Sequence, residues 1–461
     1  MHLSTFNYQS KISAKLNDVF DWHLKPNVFE RLCPPWVNVK INAQGKVDEE
    51  NSTVYLTIAK FGLKFKLILA HKNFKQYAQF TDTQISGPFA FYEHNHVFEK
   101  GDANNTTLIN DRISFALPLT SLSFIVSELI IKPDFLRLFK YRERIIQNAM
   151  ADFIKYEGEK NMQIAITGTN GLIGRHLKNY LTANGHKVLP LVRSKNTDSN
   201  PDSIYWNPDK NEIDKDKLEG LDCIIHLGGE NIANSPWTSA QKEKIISSRV
   251  AGTRLLSKTI AELKQKPSLF ICASAIGYYG DRQNESLDEK SLPGQGFLAD
   301  LCKQWESACK DAIDSQIRVV NLRIGLVLSK DGGVLAKILP IFNLGGGGIL
   351  GNGRQYMSWI AIDDILSSIL HIIHSENISG PVNLVSPNPV TNNEFTKILG
   401  KVLHRPTIFP VPSFGLKLLL GQMADELLLA SSKVYPKKLE DSGYKFKYDS
   451  LETALRHLLG R

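Results

Sequence analysis

The sequence predicts a doubly wound parallel α/β sheet preceded by a smaller antiparallel α+β unit, and three observations predict it. From residue 160 onward, short apolar runs at 164–167, 188–192, 223–227, 269–273, 319–322 and 382–385 alternate with helical patterns. That alternation builds a parallel sheet with helices on both faces. Before residue 156 the strand-like runs mix aromatic and β-branched residues with polar ones, as a half-exposed antiparallel sheet requires. At 461 residues the chain is also too long for one ordinary core.

Composition narrows the function. With 42% hydrophobic and 22% charged residues, the chain is ordinary globular protein, which excludes disorder, collagen, coiled coil and disulfide scaffold. Five cysteines are scattered without CxxC spacing, so they read as buried free thiols, and no metal ligand set is expected. The net charge of +8 divides evenly, +4 within residues 1–155 and +4 in the remainder. With no basic stripe, nucleic-acid and membrane-surface roles are disfavoured. No apolar run reaches the ~18 residues of a spanning helix; the stretch 124–131 is too short and carries Glu128. The opening residues lack the layout of a signal peptide, so a cytoplasmic protein is expected.

In the first unit, strands are expected at 54–59, 65–69, 89–98 and 107–115, with turns at Gly45, Gly62, Gly87-Pro88 and 101–105. From 133 to 155 the period changes. Phe135, Leu136, Phe139, Ile145, Ile146, Met150, Phe153 and Ile154 recur at three- and four-residue steps, the pattern of an amphipathic helix. The polar stretch 157–160 reads as a linker. Several details resemble the SRPBCC, or START-like helix-grip, family across about the first 155 residues: Phe6-Asn7-Tyr8-Gln9-Ser10, Phe29-Glu30-Arg31-Leu32, Pro34-Pro35-Trp36, Gly87-Pro88-Phe89, Glu93-His94, Asp111-Arg112-Ile113 and Phe139-Lys140-Tyr141-Arg142. The resemblance implies a sheet gripping one long helix around an interior that is either packed solid or holds a hydrophobic ligand.

The strongest chemical signal opens the second unit. An apolar strand, 163–167, runs into Gly168-Thr169-Asn170-Gly171-Leu172-Ile173-Gly174, and a helical pattern follows to about Ala183. Gly168 permits the tight turn, Gly171 lets a pyrophosphate approach the backbone, and Gly174 lets helix and strand pack closely. The helix N-terminus supplies the positive end of a dipole. The spacing GxxGxxG resembles the short-chain dehydrogenase/reductase superfamily, with its Rossmann fold. An NAD site places an acid about 20 residues past the glycines, on the ribose 2′-hydroxyl. Here Arg193-Ser194 end the second strand instead, and a guanidinium suits a 2′-phosphate, so NADP(H) is favoured over NAD(H).

Further on, the strand 223–226 opens into Gly228-Gly229-Glu230, where bare backbone can lie against the adenosine end of the cofactor, while His226 reads as a core histidine. The next strand ends Ser274-Ala275-Ile276-Gly277-Tyr278-Tyr279-Gly280. Ser274 there is placed to polarise a substrate carbonyl, with Tyr278 or Tyr279 as proton donor; alternatively the tyrosines simply pack on the cofactor. The superfamily's Tyr-x-x-x-Lys pair is missing: in register with Glu306, Leu298 and Cys302 occupy its positions.

That absence, with Phe297-Leu298-Ala299, Trp305-Glu306, Leu322-Arg323-Ile324-Gly325, Gly345 to Gly348, Gly351-Asn352-Gly353-Arg354-Gln355 and Ser358-Trp359-Ile360, resembles the atypical "epimerase family" reductases, which include YfcH-like and SDR39U1-like proteins. The tail from Pro410 through Leu439 resembles their small C-terminal domain of unknown function (DUF1731-like). The resemblance implies domains at 1–158, 162–405 and 406–461, with NADP(H) bound in the second and a small-molecule substrate. The alternative is a catalytically inactive NADP(H)-binding regulatory or sensor protein. By position, Arg249 and Arg323 face the crevice or form structural ion pairs, with Arg323 placed among the cofactor contacts. Gln355 and Trp359 either wall a substrate pocket or belong to the core, and Asp363-Asp364 begin a helix as cap and dipole partners.

Overall fold

Polar and apolar residues alternate along the early strands, and only a sheet with one covered face satisfies that pattern. The computed structural model describes residues 2–60, 62–118, 123–194 and 202–461. It divides into two compact units, Met1–Glu159 with Thr182–Asn184 and His457–Arg461, and Lys160–Leu181 with Gly185–Arg456.

The first unit holds seven antiparallel strands: β1 (Ser4–Ile12), β2 (Asn38–Gln44), β3 (Thr53–Lys60), β4 (Leu63–Lys75), β5 (Gln79–Ser86), β6 (Phe91–Lys100) and β7 (Thr107–Ala116). Their spatial order is β1-β7-β6-β5-β4-β3-β2. Several helices accompany them, among them α1 (Leu16–Leu24) and the long α2 (Lys132–Lys155). On β7 every second residue from Thr107 to Phe115 is buried (Thr107, Ile109, Asp111, Ile113 and Phe115), and Ala116 at its end is buried as well. The stripe Phe139, Tyr141, Ile145, Ile146, Ala149 and Met150 of α2 is buried as well, and it packs with inward residues of the sheet. Three strands escaped the sequence reading, 4–12, 38–44 and 79–86. They are largely polar, and their pairing partners rather than their own apolar content hold them in place.

The second unit is built on β8 (Gln163–Thr167), α3 (Leu172–Ala183), β9 (Lys187–Val192), β10 (Ile204–Asn207), β11 (Glu212–Ile213), β12 (Cys223–His226), α4 (Ser239–Ala261), β13 (Leu269–Ala275), α5 (Phe297–Ser307), β14 (Arg318–Ile324), α6 (Ile362–His374) and β15 (Gly380–Leu384). The sheet order is β11-β10-β9-β8-β12-β13-β14-β15, parallel except at β11. Strand order reverses between β8 and β12, and at such a switch point ligands bind beyond the carboxyl ends of the strands. The near-continuous burial of Ile164, Ala165, Ile166, Ile224, Ile225, Phe270 and Ile271 is what a sheet covered on both faces demands.

At α6 the structure departs from the expected cap but keeps Asp363 and Asp364 in the first turn, where acids face the dipole. The N-cap position is Ala361, without a side-chain cap. Asp364 is fully buried and accepts hydrogen bonds from Tyr444 Oη (3.1 Å), Lys447 N (2.7 Å) and Tyr448 N (3.0 Å), so it fastens a later segment of chain. Burial pushes its pKa up to about 7, against the pull of those bonds and of the Lys447 charge. Among the described residues no helix is long and apolar enough to cross a membrane.

Candidate functional site

The turn after β8 is shaped by its glycines. Gly168 has φ +72°, and a Cβ there would come within 3.0 Å of the Leu227 backbone. A Cβ on Gly174 would lie 2.2 Å from Gly168 O, so only hydrogen fits where α3 crosses the turn. A Cβ on Gly171 would meet only Gly168 O, at 3.2 Å, which leaves the outer face of the turn open. The turn closes on itself through Gly171 N to Gly168 O (2.9 Å), and α3 starts with Arg175 N to Gly171 O (3.0 Å). Thr169, Asn170, Leu172 and Ile173 complete this corner, where the first backbone N–H groups of α3 lack intrahelical acceptors.

Thr167 ties the corner to the loop after β12. Its Oγ1 accepts from Leu227 N and Gly228 N, both at 3.0 Å, and lies 2.7 Å from His226 Nδ1. With two N–H groups already bound, the hydroxyl proton goes to Nδ1, so the ring proton sits on Nε2. Burial, aided by the positive charges of Arg249 and Arg193, pulls the His226 pKa down to about 3, and the ring is neutral. His226 is thus a core residue that fixes the position of Gly228 and Gly229. Beyond it, Glu230 N donates to Ser248 Oγ (3.0 Å).

Arg249 lies against Gly229 and stacks over Trp305 at 5.0 Å. One Nη1 donates to Ile245 O at 3.3 Å, and no carboxylate among the described residues hydrogen-bonds it. Burial lowers its pKa to about 10, opposed by Cys302 and Glu230. A half-buried guanidinium without an anion invites one. At the other end of the crevice Arg193 and Ser194 follow β9 and are exposed, and Arg193 reaches Asp209 only at 3.6 Å. Residues 195–201, which include the end of the stretch lacking an acid, lie outside the described residues.

At the carboxyl ends of the next strands, Ser274, Arg323 and Asn383 stand side by side in register across β13, β14 and β15. Ser274 Oγ donates to Glu306 Oε1 at 2.7 Å. Arg323 is 3% exposed and grips the same carboxylate twice, Nε to Oε1 and Nη2 to Oε2, both at 2.9 Å. Its Nη1 donates to Tyr279 Oη (3.0 Å), which donates to Asn383 Oδ1 (2.8 Å). Tyr279 is wholly buried, and burial pushes its pKa up to about 12 despite Arg323 and Asn383.

Of the two places expected for Arg323 the structure shows the ion pair rather than the cofactor contact, and Tyr279 stands apart from the proton-donor role. The arginine is a structural ion pair, because Glu306 takes its charge, and the Tyr279 hydroxyl is locked in the interior. Ser274 also differs: its single proton is committed to Glu306, so toward a ligand it presents lone pairs. Tyr278 is half-buried, its ring lies 3.4 Å from the Arg323 guanidinium, and its hydroxyl has no hydrogen bond among the described residues. Leu298 and Cys302 are buried, and burial raises the Cys302 thiol to about 11. Trp359 is core, its Nε1 bonded to Asn388 O (3.0 Å), and Gln355 is held by Leu350 O and Leu428 O.

Sequence reasoning gave no role to Glu306, although Trp305-Glu306 stood out as a block, and it passed over Asn383. Glu306 sits near the end of α5, whose start is capped from far along the chain. Glu426 accepts from Phe297 N (3.0 Å) and Leu298 N (2.8 Å), beside Gly296 at φ +108°.

Comparison with known proteins agrees with this geometry. Residues 164–384 match the NAD dependent epimerase/dehydratase family, and residues 411–458 match a domain of unknown function, DUF1731. An epimerase family protein of Mycobacterium leprae is 39% identical over 305 residues, 66% of this chain and 98% of that protein. The chloroplastic SDR39U1 homolog of Arabidopsis thaliana is 36% identical, covering 65% of this chain and 88% of its own length. Among solved structures, a nucleoside-diphosphate sugar epimerase from Corynebacterium glutamicum has a TM-score of 0.79 at 31% identity and covers 99% of this chain and 90% of its own. Human SDR39U1, solved with NADPH, gives a TM-score of 0.59 at 30% identity over 64% of this chain and 99% of its own.

Proposed function

The chain belongs to the NAD-dependent epimerase/dehydratase family, and from that premise we propose that it is an atypical short-chain dehydrogenase/reductase that binds NADP(H) and acts on a small-molecule substrate. The observation that carries this is the corner at Gly168, Gly171 and Gly174, which is closed to side chains at Gly174 and open at Gly171. A diphosphate fits such a surface of bare amides at a helix N-terminus. The 2′-phosphate is assigned to Arg193 and Ser194, the adenosine side to Gly228, Gly229 and Glu230, and an anionic group of cofactor or substrate to Arg249. The human relative solved with NADPH supports the choice of the phosphorylated cofactor.

Bound NADP(H) would supply hydride chemistry at its nicotinamide ring. The chain's own groups then handle the proton. Tyr278 is assigned as donor, since its hydroxyl is the uncommitted one of the two. Ser274 Oγ, its proton held by Glu306 Oε1, orients the substrate by accepting a hydrogen bond from a neighbouring substrate hydroxyl, with no net proton transfer. Arg323 keeps that carboxylate in place and, with Asn383, positions Tyr279. Residues 162–405 are read as the dinucleotide domain and 406–461 as a C-terminal lobe.

Residues 1–158 are read as a helix-grip domain of the SRPBCC type, whose interior is either packed solid or holds an apolar ligand. Its seven-stranded antiparallel sheet packed by one long helix supports this reading. Four of the five free cysteines are buried, which suits a reducing, cytoplasmic setting.

Titration with NADPH and NADH tests the cofactor. NADPH should bind at least about tenfold more tightly, a difference of ~1.4 kcal/mol, and Arg193→Ala should remove the preference. Equal affinities in the unaltered protein overturn the assignment. Single-turnover NADPH oxidation over a carbonyl panel, compared with Tyr278→Phe and Ser274→Ala, tests the chemistry. Binding without turnover on any member would favour a sensor that holds the cofactor.

A further inference from the structure

A second cluster of titratable side chains lies inside the first unit, and the dinucleotide site makes no use of it. Four neighbouring strands, β4 to β7, contribute to it. His71 pairs across the strands with Asp82, Asp82 with His94, and His96 with Asp111. The three histidines and Asp111 are each more than nine-tenths buried, and the Asp82 side chain is 14% exposed.

Hydrogen bonds assign the ring protons. A carboxylate only accepts, so a ring nitrogen held close to one carries hydrogen. His71 Nδ1 lies 2.6 Å from Asp82 Oδ1, and His96 Nδ1 lies 2.7 Å from Asp111 Oδ1. His96 Nε2 faces Asp82 Oδ2 at 3.5 Å, beyond the usual hydrogen-bond range, and His94 Nε2 lies 2.9 Å from Asp111 Oδ1, which puts the hydrogen of that ring on Nε2 and leaves its Nδ1 as the ligating nitrogen. Between a buried imidazole and a carboxylate so placed sits either a proton or a metal ion, and a metal ion binds by displacing the proton. Bonds of about 2.0–2.2 Å at a tetrahedral angle put neighbouring ligand atoms roughly 3.4 Å apart, which the observed gap matches. One atom each from Asp82, His94 and His96 falls within 4.8 Å of the others.

The surroundings are those of a metal centre. Asp111 accepts from the far nitrogen of His96, and His71 donates to the far oxygen of Asp82, so both groups are oriented by an outer partner. Phe80 stacks on His96 at 4.3 Å and Phe139 meets the edge of His94 at 5.5 Å, which holds the rings in place. His71 Nε2 is buried with no hydrogen-bond partner among the described residues. Two imidazoles and one carboxylate suit zinc or a neighbouring transition metal and disfavour calcium or magnesium.

We propose that Asp82, His94 and His96 bind one divalent transition-metal ion of the zinc class, with Asp111 and His71 as orienting partners. The test uses the full chain stripped with a chelator. Co²⁺ titration followed by visible absorption should saturate at one equivalent, and Zn²⁺ should displace the cobalt. Asp82→Asn and His96→Gln should each weaken binding by about 100-fold or more, and Asp111→Asn by about 10–100-fold. X-ray absorption of the unaltered zinc-loaded protein should show two imidazoles and oxygen, a readout that survives if the variants fail to fold. Folded protein that takes up no stoichiometric metal overturns the proposal. So does a zinc shell without two imidazoles, or unchanged affinity in folded Asp82→Asn and His96→Gln.

Discussion

Gly174→Ala adds one methyl group where the chain leaves no space for it. The new carbon would sit 2.2 Å from Gly168 O, 2.7 Å from Gly168 C and 3.0 Å from Thr169 Cα. All three are backbone atoms, so no side chain can swing aside, and helix and turn must separate by about 1 Å to restore ordinary contact at 3.5 Å or so. Overpacking of this kind costs ~1–3 kcal/mol of stability. The displaced turn also carries the amides that would hold the diphosphate, so NADPH affinity should fall at least about tenfold, or ~1.4 kcal/mol. Gly171→Ala separates the two effects. Its methyl would meet only Gly168 O, at 3.2 Å, so the fold should stay near its original stability while the nucleotide is still blocked. Gly415→Ala, with nothing within 4 Å, is the neutral control. Urea denaturation without nucleotide reads the first effect, and NADPH fluorescence titration reads the second. A Gly174→Ala protein within ~0.5 kcal/mol of the original, with full NADPH affinity, would refute both the close packing and the placement of the diphosphate.

Three further outcomes are expected. Arg323→Leu strands the Glu306 carboxylate against Ser274 alone and should cost ~3–5 kcal/mol in chemical denaturation. Thr167→Val leaves the Leu227 and Gly228 N–H groups without their acceptor; a loss of ~1–3 kcal/mol, with weaker NADPH binding, should show in thermal melts with and without nucleotide. Asp364 has its folded pKa raised to about 7 by burial, so between about pH 4 and pH 7 the folded state keeps a proton that the unfolded state releases. Its contribution is fully favourable below pH 4 and is lost as pH rises through 7, a change of order 4 kcal/mol. Urea midpoints at pH 5 and pH 8 should show the decline, and in Asp364→Asn that part of the pH dependence should vanish.

The dinucleotide corner was legible because all its parts are consecutive. Strand, glycines and helix follow one another from Gln163 to Ala183, and Gly168 and Gly174 stand where a side chain would press on backbone. The six parallel strands expected from apolar runs are present for the same local reason, while the short strands β10 and β11, of four and two residues, went unseen. What the sequence hid was whatever depends on partners distant along the chain. Glu306 acquires its role only because Arg323 and Ser274 point at it from two strands. Tyr278 and Tyr279 are neighbours in sequence, yet one ring is half-buried and the other is sealed against Asn383, and no periodicity separates them. In the histidine and aspartate cluster only His94 and His96, two apart on β6, are near in sequence; His71, Asp82 and Asp111 join them through cross-strand register.

The helix that bears Glu306 begins on a borrowed carboxylate. Because Glu426 supplies the cap that Phe297 and Leu298 lack, the final fifty or so residues act as a tether on the helix beside Ser274 rather than a trailing ornament. A chain cut off before Ile408 would keep every strand of the parallel sheet, yet its α5 would start loose. Slack at that end would reach Ser274 through the opposite end of the same rod, so such a truncated protein should still retain nucleotide while losing whatever chemistry the serine serves.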